Sequence, residues 1–134
     1  MPLRIAGRQV CWILRVWKKA FALAINVRAG VDQFPPRGYA DLKDQIVRAA
    51  ESVVSNIVEG CGSPTQRDFA RFLSFSIKSA TELEGHLELA HAYGVLSDEA
   101  WNALRAQVVA TRRMLHGLRK KVLNPDPSWS IRHR

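Results

Sequence analysis

Arg48, Ser52, Asn56 and Glu59 stand four, four and three residues apart inside RAAESVVSNIVEGCG, a stretch whose remaining positions are largely apolar. At that spacing they share one face of a helix. A second line, Arg71, Ser79 and Glu82, continuing towards His86, follows further along the chain. Two chemistries fit these residue types. Glu59 and Glu82 could act as a general acid–base pair. Alternatively, Arg48 with Glu82 and Arg71 with Glu59 could form ion pairs between facing helices, with Ser52, Asn56 and Ser79 filling the remaining donors and acceptors. Buried charges are costly unless fully paired, and the best-attested benefit of paired ones is to fix register. The second reading is the better one, because nothing that usually accompanies catalysis is present.

There is no Ser–His–Asp arrangement, no Gly-rich phosphate loop and no zinc-ligand spacing in the chain. Glu88-Leu89-Ala90-His91 is a Glu-x-x-His, as in di-iron carboxylate bundles. Those centres need two such motifs and a glutamate from each of the other helices. The first 30 residues contain no acid, and none falls between Glu99 and Asp126. Cys61 sits beside the end of a helical stretch, where thiolate activation is not expected. No catalytic residue, metal or cofactor is therefore expected. With Cys11 as its only companion and no Cys-x-x-Cys, Cys61 is expected to be a reduced thiol in a cytoplasmic protein.

Charge offers a stronger lead. The formal net charge is +8 over 134 residues, unevenly placed. Arg4, Arg8, Arg15, Lys18, Lys19 and Arg28 face no acid in the first 30 residues. Arg105, Arg112, Arg113, Arg119, Lys120, Lys121, Arg132 and Arg134 crowd the C-terminal end, while the middle is mildly acidic. Phosphate neutralisation and counterion release drive association with such a surface. Arg15, Lys18, Lys19, Arg105, Arg112, Arg113, Arg119, Lys120 and Lys121 are the candidate nucleic-acid contacts. Trp12 and Trp129 are the aromatic side chains expected near that surface, and no RNA-reading module is recognisable.

The elements that must carry these residues are helices. Gly30, the Phe34-Pro35-Pro36 connection, Gly60-Cys61-Gly62, Gly94 and Asn124-Pro125 divide the chain into four segments. Ser63 is expected to cap the third, with Pro64 in its first turn and Gln66 completing a capping box. Ser97 caps the fourth, followed by Asp98 and Glu99 at the positive end of its dipole. Core-line residues recur three or four apart throughout: Leu42, Ile46, Ala49, Val53 and Ile57; Phe69, Phe72, Leu73, Ile77, Ala80, Leu83 and Leu87; Trp101, Leu104, Val108, Thr111, Leu115, Leu118 and Val122. The expected fold is an all-α, antiparallel up-down-up-down four-helix bundle over residues 1–123. Residues 1–12 form an N-terminal extension of it and 124–134 a basic tail. No run is long and apolar enough for a membrane span.

The first two segments carry more apolar surface than one seam needs. Trp17, Phe21 and Leu23 cannot all face a single core line, and Val47, Val54 and Val58 widen the second segment. Self-association is the expected remedy.

These residues also resemble a family. VWKKAFALA, FPPRGYADLKDQIVRAAESVVSNIVEG and RDFARFLSFSIKSATELEGHLELA are similar to the small bacterial proteins encoded by intervening sequences of 23S ribosomal RNA genes, sometimes mislabelled ribosomal protein S23. Trp17, Gln45, Arg48, Ser52, Asn56, Glu59, Gly60, Phe72, Ser79, Glu82 and Glu84 carry the likeness. The resemblance implies a four-helix bundle assembled as a homopentameric ring with no recognised enzymatic activity. Its superfamily includes the accessory variability protein of diversity-generating retroelements, a basic pentamer that binds a reverse transcriptase and nucleic acid. The resemblance thus implies RNA, DNA or a nucleic-acid-handling protein as partner. A protein-interaction adaptor without nucleic-acid contact is the alternative, with an enzyme using Glu59 and Glu82 behind it.

Overall fold

The computed structural model describes residues 7–125, with side chains described from Cys11 onward. They form four helices and no strand: α1 Gly7–Val31, α2 Ala40–Cys61, α3 Gln66–Ala92 and α4 Asp98–Leu123. Residues 7–12, expected in an extension, are already part of α1. The tail beyond Pro125, with Trp129, Arg132 and Arg134, lies outside the described residues.

Each helix packs on two neighbours: α1 on α2 and α4, and α3 on α2 and α4. Between them runs one apolar core. Val16, Ala20, Leu23 and Val27 of α1 meet Ile46, Val53 and Ile57 of α2, Phe69, Leu73, Ala80, Leu83 and Leu87 of α3, and Val108, Leu115 and Leu118 of α4. Burying such side chains contributes roughly 1.5–3 kcal/mol each. Two polar residues are wholly buried in this core: Thr111, which lies on the apolar line of α4 as its spacing predicted, and Ser76, which periodicity did not place there. Both are satisfied by backbone: Ser76 Oγ donates to the Val53 carbonyl across α2 and α3 at 2.7 Å, and Thr111 Oγ1 to the Gln107 carbonyl at 2.8 Å. A hydroxyl bonded in this way avoids the desolvation cost of an orphaned donor.

The helix ends follow local chemistry, with one correction. Thr65, not Ser63, caps α3: its extended backbone lets Oγ1 accept from the Asp68 N–H at 3.1 Å. Ser63 instead closes α2. It is buried, and its hydroxyl donates to the Glu59 carbonyl at 3.3 Å. Two hydroxyls of similar capping power lie two residues apart, and burial of the first left the second to start the next helix. Ser97 caps α4 as expected, accepting from the Ala100 N–H at 3.1 Å. Gly94 follows α3 at φ +78, a left-handed conformation that L side chains disfavour.

Gly60 has a different reason. A Cβ there would lie 2.7 Å from Phe69 Cδ1 and 3.2 Å from Phe72 Cβ. The missing side chain is what brings the end of α2 against the start of α3.

Candidate interaction surfaces

The polar seam expected between α2 and α3 is present in its neutral part and absent in its ionic part. Ser52 Oγ and Ser79 Oγ are 2.8 Å apart, and Asn56 Nδ2 donates to the Ser52 carbonyl at 2.9 Å and to its hydroxyl at 3.0 Å. Ser52 and Ser79 therefore bridge the two helices, and Asn56 holds Ser52 in place from within α2. The expected ion pairs do not form. Arg48 and Glu59 are exposed, Glu82 lies 3.4 Å from His86 on its own helix, and Arg71 lies 3.8 Å from Asp68 one turn before it. One residue of displacement explains this. At helical spacing, Arg48, Glu59 and Glu82 fall just outside the buried line, where water solvates them more cheaply than a partner could. Ser76 is the member of this seam that sequence spacing missed.

Charge pairing between helices occurs instead across α3 and α4. Glu84 Oε1 accepts from Arg112 Nη1 at 2.7 Å, and its other oxygen lies 3.9 Å from Arg105 Nε. Arg119 Nε donates to the Ala70 carbonyl at 3.3 Å. At the opposite end, His91 Nε2 is 2.6 Å from Asp98 Oδ1, and its ring stacks on Trp101 at 4.1 Å and 7°. The imidazole of the Glu-x-x-His motif thus ties the two helices at their junction. Among the described residues, no group of three His, Cys, Asp or Glu side chains could hold a metal ion.

The candidate nucleic-acid stripe consequently divides. Arg105, Arg112 and Arg119 lean on α3. Arg15 and Lys121 converge on the Trp12 ring, with the guanidinium carbon 5.5 Å and the ammonium 4.2 Å from its centre. Lys18, Lys19, Arg113 and Lys120 stand exposed, with no carboxylate in ion-pairing distance among the described residues.

The helices α1 and α2 leave a groove of about 460 Å³ between them. Phe21, Ala24, Val54 and Val58 line it, with Glu51 and Glu59 at its edge. It continues past Ile25 and Val47 to Arg28. Phe21 stacks on Trp17 at 5.0 Å between ring centres. Phe21, Ile25 and Val58 are 45%, 55% and 54% exposed, so each leaves roughly 1 kcal/mol of burial unrealised. The three aromatic and aliphatic residues that the sequence could not place on one core line separate here: Leu23 points into the core, Phe21 out, and Trp17 lies between. Glu59 lines this groove while Glu82 meets His86, so the two carboxylates serve different surroundings.

Cys11 and Cys61 are free thiols, and burial pushes the Cys61 thiol above its ordinary value of 9.0. No helix among the described residues is long and apolar enough to cross a membrane.

Comparison with known proteins locates this arrangement. The sequence matches the 23S rRNA-intervening sequence protein family over residues 13–117. The chain belongs to that family. The match begins at Ile13, the first of the described α1 side chains that is buried, and ends within α4, so the region shared with the 23S rRNA-intervening sequence proteins is the four-helix core itself. The crystal structure of a protein of unknown function from the S23 ribosomal protein family of Bacteroides thetaiotaomicron VPI-5482 has the same fold. Its TM-score is 0.71 at 20% identity, covering 81% of this chain and 98% of that one. No curated protein matches the sequence.

Proposed function

We propose that this member of the family is a non-enzymatic, cytoplasmic homo-oligomer, a pentameric ring of up-down-up-down bundles, whose basic face engages nucleic acid or a nucleoprotein. The register of contacts supports the antiparallel order. Ala70 meets Arg119 while His91 meets Asp98, and Gly30 approaches Leu104 while Asn26 meets Gln107. Self-association is supported by the α1–α2 groove, whose exposed Phe21, Ile25 and Val58 a second copy would cover.

The observation that carries the nucleic-acid reading is the excess of unneutralised cations. Arg15, Lys18, Lys19, Arg113, Lys120 and Lys121 have no carboxylate partner among the described residues, and a ring repeats them on every subunit. Repetition raises avidity without new contacts. Titrating labelled RNA and DNA at about 50 mM and about 200 mM salt tests this. Binding that weakens steeply with salt is the expected result, and no binding at the lower concentration refutes it.

The adaptor reading keeps one observation in its favour. The same apolar groove suits an amphipathic helix of another protein, such as a reverse transcriptase, as well as it suits a second copy. Light scattering at micromolar concentration separates the two, since a monomer leaves the groove open for a different partner.

A further inference from the structure

On α3, Arg67, Arg71, Phe75 and Lys78 are exposed and fall at helical spacing on one face about 16 Å long. Beside Arg67 and Arg71 lies a groove of about 380 Å³ between α3 and α4, also lined by Asp68, Ser74 and Arg119. Arg119 is already tethered through its Nε to the Ala70 carbonyl, so ordering it against a ligand costs less than ordering a free arginine. Among the described residues Asp68 is the only acid in the groove, and it offsets one charge of three guanidinium groups. The Arg71 guanidinium carbon lies 5.1 Å from the Phe72 ring centre and 5.8 Å from that of Phe75. Phe72 and Phe75 meet edge-on, 5.9 Å apart at 84°, and Phe75 is 39% exposed.

Resting on the nucleic-acid reading above, we infer that this α3–α4 groove binds a single strand, with phosphates on Arg67, Arg71 and Arg119 and a base stacked on Phe75 beside it. Guanidinium groups and an exposed aromatic ring side by side are the two components that sequence-tolerant single-strand binding needs. A duplex offers only the first of these contacts, because the faces of its bases are covered by their neighbours. Arg71 accordingly belongs to a binding surface rather than to the seam with Glu59.

The test is fluorescence anisotropy with a labelled oligouridylate of about twelve nucleotides and a duplex of equal length. The full chain, Phe75→Ala, Phe75→Tyr and the double variant Arg67→Gln/Arg71→Gln are compared, with thermal melts to verify folding. The expected result is tighter binding of the single strand than of the duplex. Phe75→Ala weakens it by about 5- to 150-fold with the salt slope unchanged, and Phe75→Tyr restores it. The double variant lowers the salt slope by about 1.4. If the full chain binds but these variants match it, the groove is wrong while the nucleic-acid reading stands. If the full chain binds neither probe at low salt, both fall together. Should Phe75→Ala instead change the particle mass in light scattering, the face is a contact between copies and the single-strand assignment is overturned.

Discussion

The α1–α2 side and the α3–α4 side of the bundle are held by different forces. Across α3 and α4 run the Glu84–Arg112 bond at 2.7 Å, the Arg119–Ala70 bond at 3.3 Å and the His91–Asp98 contact at 2.6 Å. Among the described residues, α1 and α2 share no side-chain hydrogen bond or ion pair and meet through Phe21, Ala24 and Val54. Directional bonds set distance and register and leave little apolar area for anything else. Apolar contact is indifferent to register and leaves a groove whose walls stay attractive to a further helix. The α3–α4 pair is therefore locked in register by polar bonds, whereas the α1–α2 pair keeps an open apolar groove.

That contrast can be broken by experiment. The largest effect is expected from Leu23→Ala, which removes the main side chain anchoring α1 in the core and should cost about 2–5 kcal/mol in urea unfolding. If ion pairs dominated throughout, this variant would be no worse than those on α3 and α4. Gly60→Ala drives a methyl into Phe69 and should destabilise by about 1–3 kcal/mol, a measure of how closely α2 and α3 must approach.

Arg112→Ala leaves Glu84 with only the longer Arg105 contact. A loss of about 1–2 kcal/mol, smaller at high salt, is expected because both side chains are mostly shielded. The paired change Ile25→Ser with Val58→Ser should alter subunit stability by about 0.5 kcal/mol or less per site. It should nevertheless lower the particle mass in light scattering. An unchanged oligomer would move the contact between copies away from the α1–α2 groove. Smallest of all, Cys61 should alkylate more slowly than exposed Cys11 at mildly alkaline pH. Its raised folded-state value adds a little stability that is present below the ordinary value of 9.0 and is lost as pH rises beyond it.

Much of this architecture was legible in advance. Apolar spacing located all four helices, because a three-to-four-residue period sustained along a whole segment gives one continuous apolar face only on a helix. Gly94 and Ser97 marked their boundaries correctly, since each needs only local backbone geometry. The choice between Ser63 and Thr65 was not legible, as it depended on which hydroxyl tertiary packing buried. Thr111 was legible from its place on the apolar line of the fourth helix, whereas Ser76 was missed because a hydroxyl is polar by composition and becomes a core residue only when a carbonyl lies within reach. The ionic seam failed for a related reason. Helical spacing places Arg48 and Glu59 on a face without saying how far that face turns towards the neighbour.

Sequence alone therefore determined what is periodic or local: four helices, the breaks between them, the Ser97 cap, and an excess of cations at both ends. Tertiary structure decided the pairings. Glu84 rather than Glu59 carries the cross-helix charge, Phe21 rather than Leu23 faces outward, and Arg67, Arg71 and Arg119 come to share one groove with Phe75 beside it. Such pairings depend on the rotation of each helix about its axis, and only the close packing of the whole core sets that angle.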